Sequence, residues 1–320
     1  MPAAAGVTRG GIDAMISNEP SYKERRNKRW IAISLLPAVA LFIVLTAFPV
    51  VNLLALSFFH VEWREATSAF SFVGLDNYHR LFSTEKVFWD GVRNTAFFAV
   101  TAVSCQMVLG FSMALAVRTA GSYGRAVLTG IFLLPIVVPP IVIGTMWRLI
   151  MGREFGLANM LLGLLGLGPV DWLGNPDIAL ASVIFVDIWH WTPFVFLLML
   201  AGLESLDGEV IEAARMDTRS RWQQIRHVVL PMMMPTIVVT LMFRVILSFK
   251  VFDEVYLLTS GGPGTATEVV NFSIYRTFFR QDQVGYGSAM SIVTLFAISV
   301  VIILARGFAQ RRAARRSAVS

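Results

Sequence analysis

Two ionisable side chains, Asp187 and Arg244, stand inside long apolar runs of the sequence. Trp191 follows Asp187 by four residues, so a helix would place both on one face. A carboxylate accepts hydrogen bonds from hydroxyl groups, and an aromatic ring offers a flat apolar surface to the apolar face of a sugar. The pattern predicts a binding surface for a hydroxyl-rich solute, to which Trp147 and Trp189 could contribute.

The elements that must position these residues are the apolar runs themselves. The chain is 56% hydrophobic and 15% charged, whereas a soluble domain carries about 25% charged residues. A helix needs about 20 residues to cross a hydrocarbon core. Six runs are long enough: 31–59, 94–117, 126–147, 178–203, 228–249 and 283–305. The sequence therefore predicts an all-α membrane protein with six transmembrane helices.

A cleaved signal peptide does not explain the first run, because signal cores span about 7–15 residues. Cys105 is the single cysteine, which excludes a disulfide framework and favours a packing role for that side chain.

The membrane setting leaves alternatives open for the first group of residues. A charge at a bilayer centre costs about 2.5–3.5 kcal/mol on insertion scales, so Asp187 and Arg244 must face protein or water. A structural ion pair, or snorkelling of Arg244 to the surface, meets that need without a solute. The tryptophans equally fit packing or interfacial belts. Gln106 gives no pattern to interpret.

The distribution of basic residues predicts the topology. Of the 27 Lys and Arg, 17 lie in the segments that are inside if both termini are cytoplasmic, 9 lie outside and one is Arg244. The positive-inside rule then predicts a cytoplasmic tail at 1–29, a transmembrane domain at 30–305 and a cytoplasmic tail at 306–320. The basic cluster before residue 30 fits anionic lipid headgroups rather than nucleic acid.

Prolines interrupt two of the predicted spans. The third run contains Pro135, Pro139 and Pro140, and the fourth contains Pro193. Proline removes a backbone donor and kinks a helix. The prolines predict kinks in both spans, which could line a cavity or simply pack against neighbours.

The segment 204–231, between the fourth and fifth runs, reads as helix rather than loop. Acidic residues and Ala213–Ala214 favour a helical start, Asp217–Thr218 is a plausible break, and a second helical pattern follows. Pro231 then begins the fifth span, where a proline in the first turn costs little. Two short helices beneath the bundle would make a rigid element that transmits force. An amphipathic connector on the headgroups is the alternative.

This segment resembles the cytoplasmic motif of the inner-membrane permeases of binding-protein-dependent ABC importers. That motif reads Glu-Ala-Ala, three residues, Gly, nine residues, Ile, any residue, Leu-Pro. The matching residues are Glu212, Ala213, Ala214, Thr218, Val228, Leu230 and Pro231, with Asp217 before the position of the motif glycine. Thr218 departs from the pattern, because glycine tolerates a positive φ that threonine does not.

Further segments extend the resemblance to the carbohydrate-importer branch, the maltose- and glycerol-phosphate-type permeases. They run in family order over about 230 residues: 72–78, 155–159, 172–173, 189–194, 201–203, 252–253, 259–264, 275–276 and 285–289. This pattern adds Asp253 to the residues expected along a substrate pathway.

The resemblance implies a division of labour among several proteins in a bacterial cytoplasmic membrane. A second, non-identical permease would share the pathway, two ATPase subunits would use ATP and Mg²⁺, and an extracytoplasmic binding protein would deliver sugar. The segment from Glu212 to Pro231 would couple the bundle to an ATPase. This chain would bind no cofactor or metal and would have no catalytic residue.

The residues agree that ATP hydrolysis lies elsewhere. None of the four lysines follows a glycine, so the chain has no phosphate-binding Gly-Lys-Ser/Thr loop. Gly-x-Ser-x-Gly and His-Glu-x-x-His are absent too, and the four histidines are scattered. An integral-membrane enzyme is therefore disfavoured. An ion-coupled secondary transporter is the other rival, but it needs intramembrane acids, of which Asp187 alone is available.

Overall fold

The computed structural model describes residues 22–64, 67–217 and 220–317. The chain divides into two compact units, 1–55 and 56–320. The described part of the first unit is helix α1, Tyr22–Leu56, which contains Pro37 and Pro49. Apolar residues occur on every side of α1 rather than along one stripe, which is typical of a membrane span. The predicted tail at 1–29 lies largely outside the described residues.

The second unit contains the remaining spans. Helices that are long and apolar enough to cross a membrane are α3 (Lys86–Thr119), α7 (Ala179–Glu204), α10 (Leu230–Ser248) and α13 (Val284–Ser317). With α1 they make five spans in the described part of the chain, or six if one bent pair of helices counts as a span. This finding confirms the predicted fold class.

The bent pair is the third predicted span, which is not one kinked helix. Helix α4, Ser122–Val137, and helix α5, Pro140–Ile150, meet at 94°. Val138 and Pro139 adopt extended backbone between them, because a residue before proline is pushed out of the helical region. Pro140 occupies the first turn of α5, where its missing N–H costs nothing.

Helices α3 and α7 form the centre of the second unit and run in parallel. A Cβ on Gly110 of α3 would lie 2.7 Å from Val195 Cγ1 and 2.8 Å from the Phe196 nitrogen of α7. Glycine thus permits the two backbones to approach closely, as small residues do between membrane helices. Helix α10 packs against both α3 and α7 and runs antiparallel to them, with Thr236 beside Gly202 of α7.

The first loop after α1 contains a hairpin that the sequence did not predict. Strand β1, Phe59–Arg64, pairs antiparallel with strand β2, Thr67–Phe72. Helix α2, Asp76–Ser83, follows, and its Asn77 amide donates to the Ser57 carbonyl oxygen at 2.9 Å. The start of α13 packs here so closely that a Cβ on Gly285 would meet the Phe59 carbonyl oxygen.

The loops at the same end of the bundle carry three short helices. These are α6 (Leu157–Leu164), α11 (Asp253–Leu258) and α12 (Val270–Tyr275), the last followed by a π-helical turn, Arg276–Arg280. Helix α11 packs on α5, where a Cβ on Gly144 would lie 2.4 Å from Leu257 Cβ. These contacts hold α5 at this end of the bundle.

Glu268 organises the last of these loops. Its side chain is fully buried, accepts from the Ser273 hydroxyl at 2.6 Å and lies 3.1 Å from Arg276 Nη2. Burial raises the pKa of the Glu268 carboxyl, while the contacts with Ser273 and Arg276 oppose the shift. Gly261, with φ of +82°, leaves the space that this carboxyl fills.

The segment between α7 and α10 begins with helix α8, Gly208–Asp217. Helix α9, Arg221–Gln224, continues through a π-helical turn, Ile225–Val229, directly into α10. The second short helix is therefore not separate from the fifth span, and Pro231 lies inside a continuous helical course from Arg221 to Ser248. The π turn accommodates the missing N–H of Pro231 within this course.

Candidate functional site

A buried polar cluster joins α3, α7 and α10. Arg244 of α10 contacts Asp187 of α7, with 3.2 Å between Nη2 and Oδ2. Arg244 Nε donates to Gln106 Oε1 of α3 at 2.8 Å, and Nη2 also lies 3.3 Å from Ser248 Oγ. Arg244 is 1% exposed and Asp187 2% exposed. The structure thus brings together the two charges that the sequence placed in separate spans.

Gln106 completes this cluster, although no sequence pattern pointed to it. Its Nε2 donates to Asp187 Oδ2 at 2.8 Å and to the Asp187 carbonyl oxygen at 3.0 Å. The same amide accepts from Arg244 through Oε1. A fully buried amide with every polar atom bonded is a specific partner for an ion pair. The available signal was an isolated amide within an apolar run.

The three tryptophans of the predicted surface fall into two groups. Trp147 of α5 packs edge-on against Trp189 and Phe185 of α7, with centroid distances of 5.5 Å in both pairs. Trp191 lies on another side of α7, where the guanidinium carbon of Arg244 is 5.0 Å from its ring centroid. Trp191 is half-buried, so part of its ring is accessible. Trp191 therefore shares a site with the charges, and the other two do not.

A second polar pair lies beside Trp191. His190 Nδ1 is 3.3 Å from Glu254 Oε1 of α11, and both residues are buried. Asp253 precedes Glu254 and is exposed. Partial burial of its carboxyl raises the pKa of Asp253, the Glu254 charge raises it further, and His190 opposes the shift. Asp253 thus lies next to the buried His190–Glu254 pair.

The predicted coupling segment presents one buried and one exposed side. Ile211 of α8 is 6% exposed and packs in a core with Leu203 and Val229. Gln224 Nε2 donates to the Ile211 carbonyl oxygen at 3.2 Å, which ties α8 to α9. Among the motif residues, Glu212 and Ala213 of α8 are exposed, as is Pro231, and Leu230 is half-buried. Thr218 and the side chains of Ala214 and Asp217 lie outside the described residues.

The amino-acid sequence matches the model of a known protein family. The model of the "binding-protein-dependent transport system inner membrane component" family matches residues 106–315, more than half of the chain. The chain belongs to this family. The match begins at Gln106, within α3, and includes α7 and the segment from α8 to α10.

Two curated relatives extend the comparison to nearly the whole chain. The trehalose/maltose transport system permease protein MalF of Thermococcus litoralis is 35% identical over 289 residues, covering 90% of this chain and 95% of the relative. The sulfoquinovosyl glycerol transport system permease protein SmoG of Agrobacterium fabrum is 30% identical over 275 residues, covering 86% and 88%. The predicted resemblance to carbohydrate-importer permeases is confirmed.

The fold is also found in a solved structure. A chain of a bacterial ABC transporter involved in import of the acidic polysaccharide alginate matches with a TM-score of 0.79 and 23% identity. The match covers 92% of this chain and 99% of that one. At this identity the likeness concerns the fold. The chain is therefore a multi-pass membrane permease of an importer family, which disfavours the reading as a membrane enzyme.

Proposed function

We propose that this chain is one of two membrane subunits that form the pathway of an ATP-driven sugar importer. The observation that carries the proposal is the similarity to a trehalose/maltose permease over 95% of that relative's length. A relative named for sulfoquinovosyl glycerol transport supports a carbohydrate or carbohydrate derivative as substrate. Both termini would be cytoplasmic, as the positive-inside bias predicts.

Three kinds of partner would complete the transporter. A second, non-identical permease would supply the other wall of the pathway, and an extracytoplasmic binding protein would deliver the sugar. One chain similar in fold comes from a transporter solved with a sugar-bound periplasmic protein, which supports such a partner here. Two ATPase subunits would bind ATP and Mg²⁺.

The exposed side of α8 would dock on an ATPase. Ile211 and Gln224 connect α8 to the core that contains α7 and to the helix that continues as α10. A displacement of α8 would therefore reach two spans through packed side chains rather than through a flexible loop. Closure of the ATPase dimer would turn the bundle from inward-open to outward-open. Glu212, Ala213, Ala214, Asp217, Thr218, Leu230 and Pro231 are the proposed coupling residues.

The proposed pathway lies on the side of α7 that carries Trp191. Its half-buried ring can stack on the apolar face of a sugar, and the exposed carboxyl of Asp253 can accept from hydroxyl groups. Asp187 and Arg244 are buried and would contribute behind this surface. Trp147 and Trp189 pack on each other and remain predicted pathway residues.

The proposal is tested by uptake into vesicles that contain the chain with its co-encoded permease, ATPase and binding protein. Uptake of the sugar that the binding protein retains should require ATP. Glu212→Lys should abolish uptake while leaving the subunit inserted, because it reverses a charge on the face assigned to the ATPase. Glu209→Lys makes the same charge reversal on the exposed side of α8 but outside the motif, and as the matched control it should retain more activity.

Two outcomes would contradict the proposal. Normal uptake by Glu212→Lys at wild-type expression would remove α8 from the coupling path. Uptake by this chain alone, without ATP but with an ion gradient, would instead establish a secondary transporter.

A further inference from the structure

Three side chains, one each from α3, α7 and α10, hold the guanidinium of Arg244 in one orientation. Gln106 Oε1 accepts a hydrogen bond from Arg244 Nε, while Asp187 Oδ2 and Ser248 Oγ accept from Arg244 Nη2. Gln106 also donates to the Asp187 carboxylate, so the amide, the carboxylate and the guanidinium form a closed ring of hydrogen bonds. A planar guanidinium with such partners has little freedom to turn.

Packing between the helices does not require this ionic group. Farther along the same helices, the buried contacts are apolar and include Ala114, Val195, Met199 and Met233. A buried ion pair generally stabilises a protein no more than apolar side chains of similar volume, and charges within a membrane are costly. Apolar residues could therefore join α3, α7 and α10 at this level too.

The contact between Arg244 and Trp191 indicates a different role. Its carbon atom lies 5.0 Å from the centroid of the Trp191 ring. Arg244 is 1% exposed, whereas Trp191 is half-buried. A desolvated guanidinium attracts the face of an indole strongly and prefers to lie parallel to it. Arg244 thus connects the buried cluster to an aromatic ring that is partly accessible.

Other contacts hold the same ring along its own helix. The His190 ring centroid is 5.0 Å from that of Trp191, and His190 is hydrogen-bonded to Glu254 of α11. Phe194, one turn later, meets Trp191 edge-on at 6.2 Å. The indole is therefore oriented from α10 by a cation and from α7 by two rings.

We propose that Arg244 is a positioning residue that fixes the indole of Trp191, and that Gln106 and Asp187 serve to hold Arg244 in place. Neither charge touches the solute. Trp191 presents its accessible ring as a rigid stacking platform, and the cluster sets the orientation of that platform. The consequence for transport rests on the proposed function, whereas the positioning itself does not.

The positioning is tested by fluorine NMR of the assembled transporter in nanodiscs, with this chain labelled with 5-fluorotryptophan. The chain has eight tryptophans, and Trp191→Phe identifies the resonance of Trp191 by its loss. Gln106→Met removes the amide without altering any residue that touches the indole. The resonance of Trp191 should broaden or split in this variant, while those of Trp147 and Trp189 stay unchanged.

Thr240→Val is the matched control. Thr240 is fully buried in α10, one turn before Arg244, and its hydroxyl donates within its own helix to Thr236. This variant should leave the Trp191 resonance as in wild type. If Gln106→Met does not assemble, Arg244→Lys keeps the positive charge but loses the planar fork, and it should give the same broadening. An unchanged Trp191 resonance in an assembled variant would overturn the proposal.

Uptake measurements test whether the platform matters for transport. If Arg244 acts through Trp191, Arg244→Lys and Trp191→Ala should each lower the uptake rate, and the double variant should lie within about twofold of Trp191→Ala. Multiplicative losses would show that Arg244 acts independently of the ring and would overturn the assigned role. Normal uptake by Trp191→Ala would contradict its place in the sugar pathway while leaving the fluorine result to decide the positioning.

Discussion

At the scale of single residues, Gly110 sets the distance between α3 and α7. A Cβ at this position would lie under 3 Å from Val195 Cβ and from the Phe196 nitrogen. The nearest atoms include backbone, which cannot rotate away as a side chain can. The two helices that carry Gln106 and Asp187 depend on this approach, because a wider separation would lengthen the hydrogen bonds between them.

We expect Gly110→Ala to destabilise the assembled permease by about 1–3 kcal/mol, the usual cost of adding a methyl group to a well-packed contact. Gly130→Ala is the matched control, since nothing lies within 4 Å of a Cβ at that position in α4. The control should be neutral or slightly stabilising, because alanine favours a helix over glycine. The thermal midpoint in detergent measures both, and equal midpoints would contradict the close contact.

The sequence predicted individual residues of the site only in part. A charge in an apolar run must find a partner, so Asp187 and Arg244 could be selected without a structure. Gln106 could not, because its partner is 81 positions away and an amide carries no charge to balance. Glu254, buried against His190, was missed because it lies in a loop where acids are ordinary.

At the scale of elements, one buried side chain and one amide among the described residues fix α8 to the bundle. We expect Ile211→Ala to lower the sugar transported per ATP hydrolysed, because removing a buried isoleucine costs about 2–5 kcal/mol of packing and loosens α8. Gln224→Ala should act in the same direction by releasing the Ile211 carbonyl oxygen. Uptake and ATP hydrolysis are measured together in vesicles.

The control for this prediction is Val210→Ala on the same helix. Val210 is 41% exposed and lies beside Ile211 in the chain. A ratio of uptake to hydrolysis that falls equally in Val210→Ala and Ile211→Ala would contradict the role assigned to the buried contact.

Elements were predicted well where a single physical requirement determines them. The need for about 20 apolar residues fixed the spans. The prediction of a kink in the third span was wrong in degree, because the helix breaks between α4 and α5. The same prolines are compatible with a gentle kink or with a break, and the packing of Gly144 on Leu257 decides between them. The hairpin of β1 and β2 was not predicted, although apolar and polar residues alternate along Phe59–Arg64 with the period of a strand.

At the scale of the whole molecule, the charge pattern assigns α8 to the cytoplasm and the loops with α6, α11 and α12 to the outside. Family membership supports the import function, and the orientation is a prediction. Helix α13 continues to Ser317, so the described part of the predicted C-terminal tail extends the last span as a helix.

The central claim is that a nucleotide-hydrolysing partner moves the bundle through α8, and cysteine labelling tests it most directly. Met216 of α8 is 89% exposed and Phe155, before α6, is 96% exposed. Each is replaced by cysteine in a Cys105→Ala background. A membrane-impermeant maleimide should label Phe155→Cys in intact spheroplasts and spare Met216→Cys, which should cross-link to the ATPase subunit in membranes. Labelling of Met216→Cys from outside, or its failure to cross-link to the ATPase, would contradict the account.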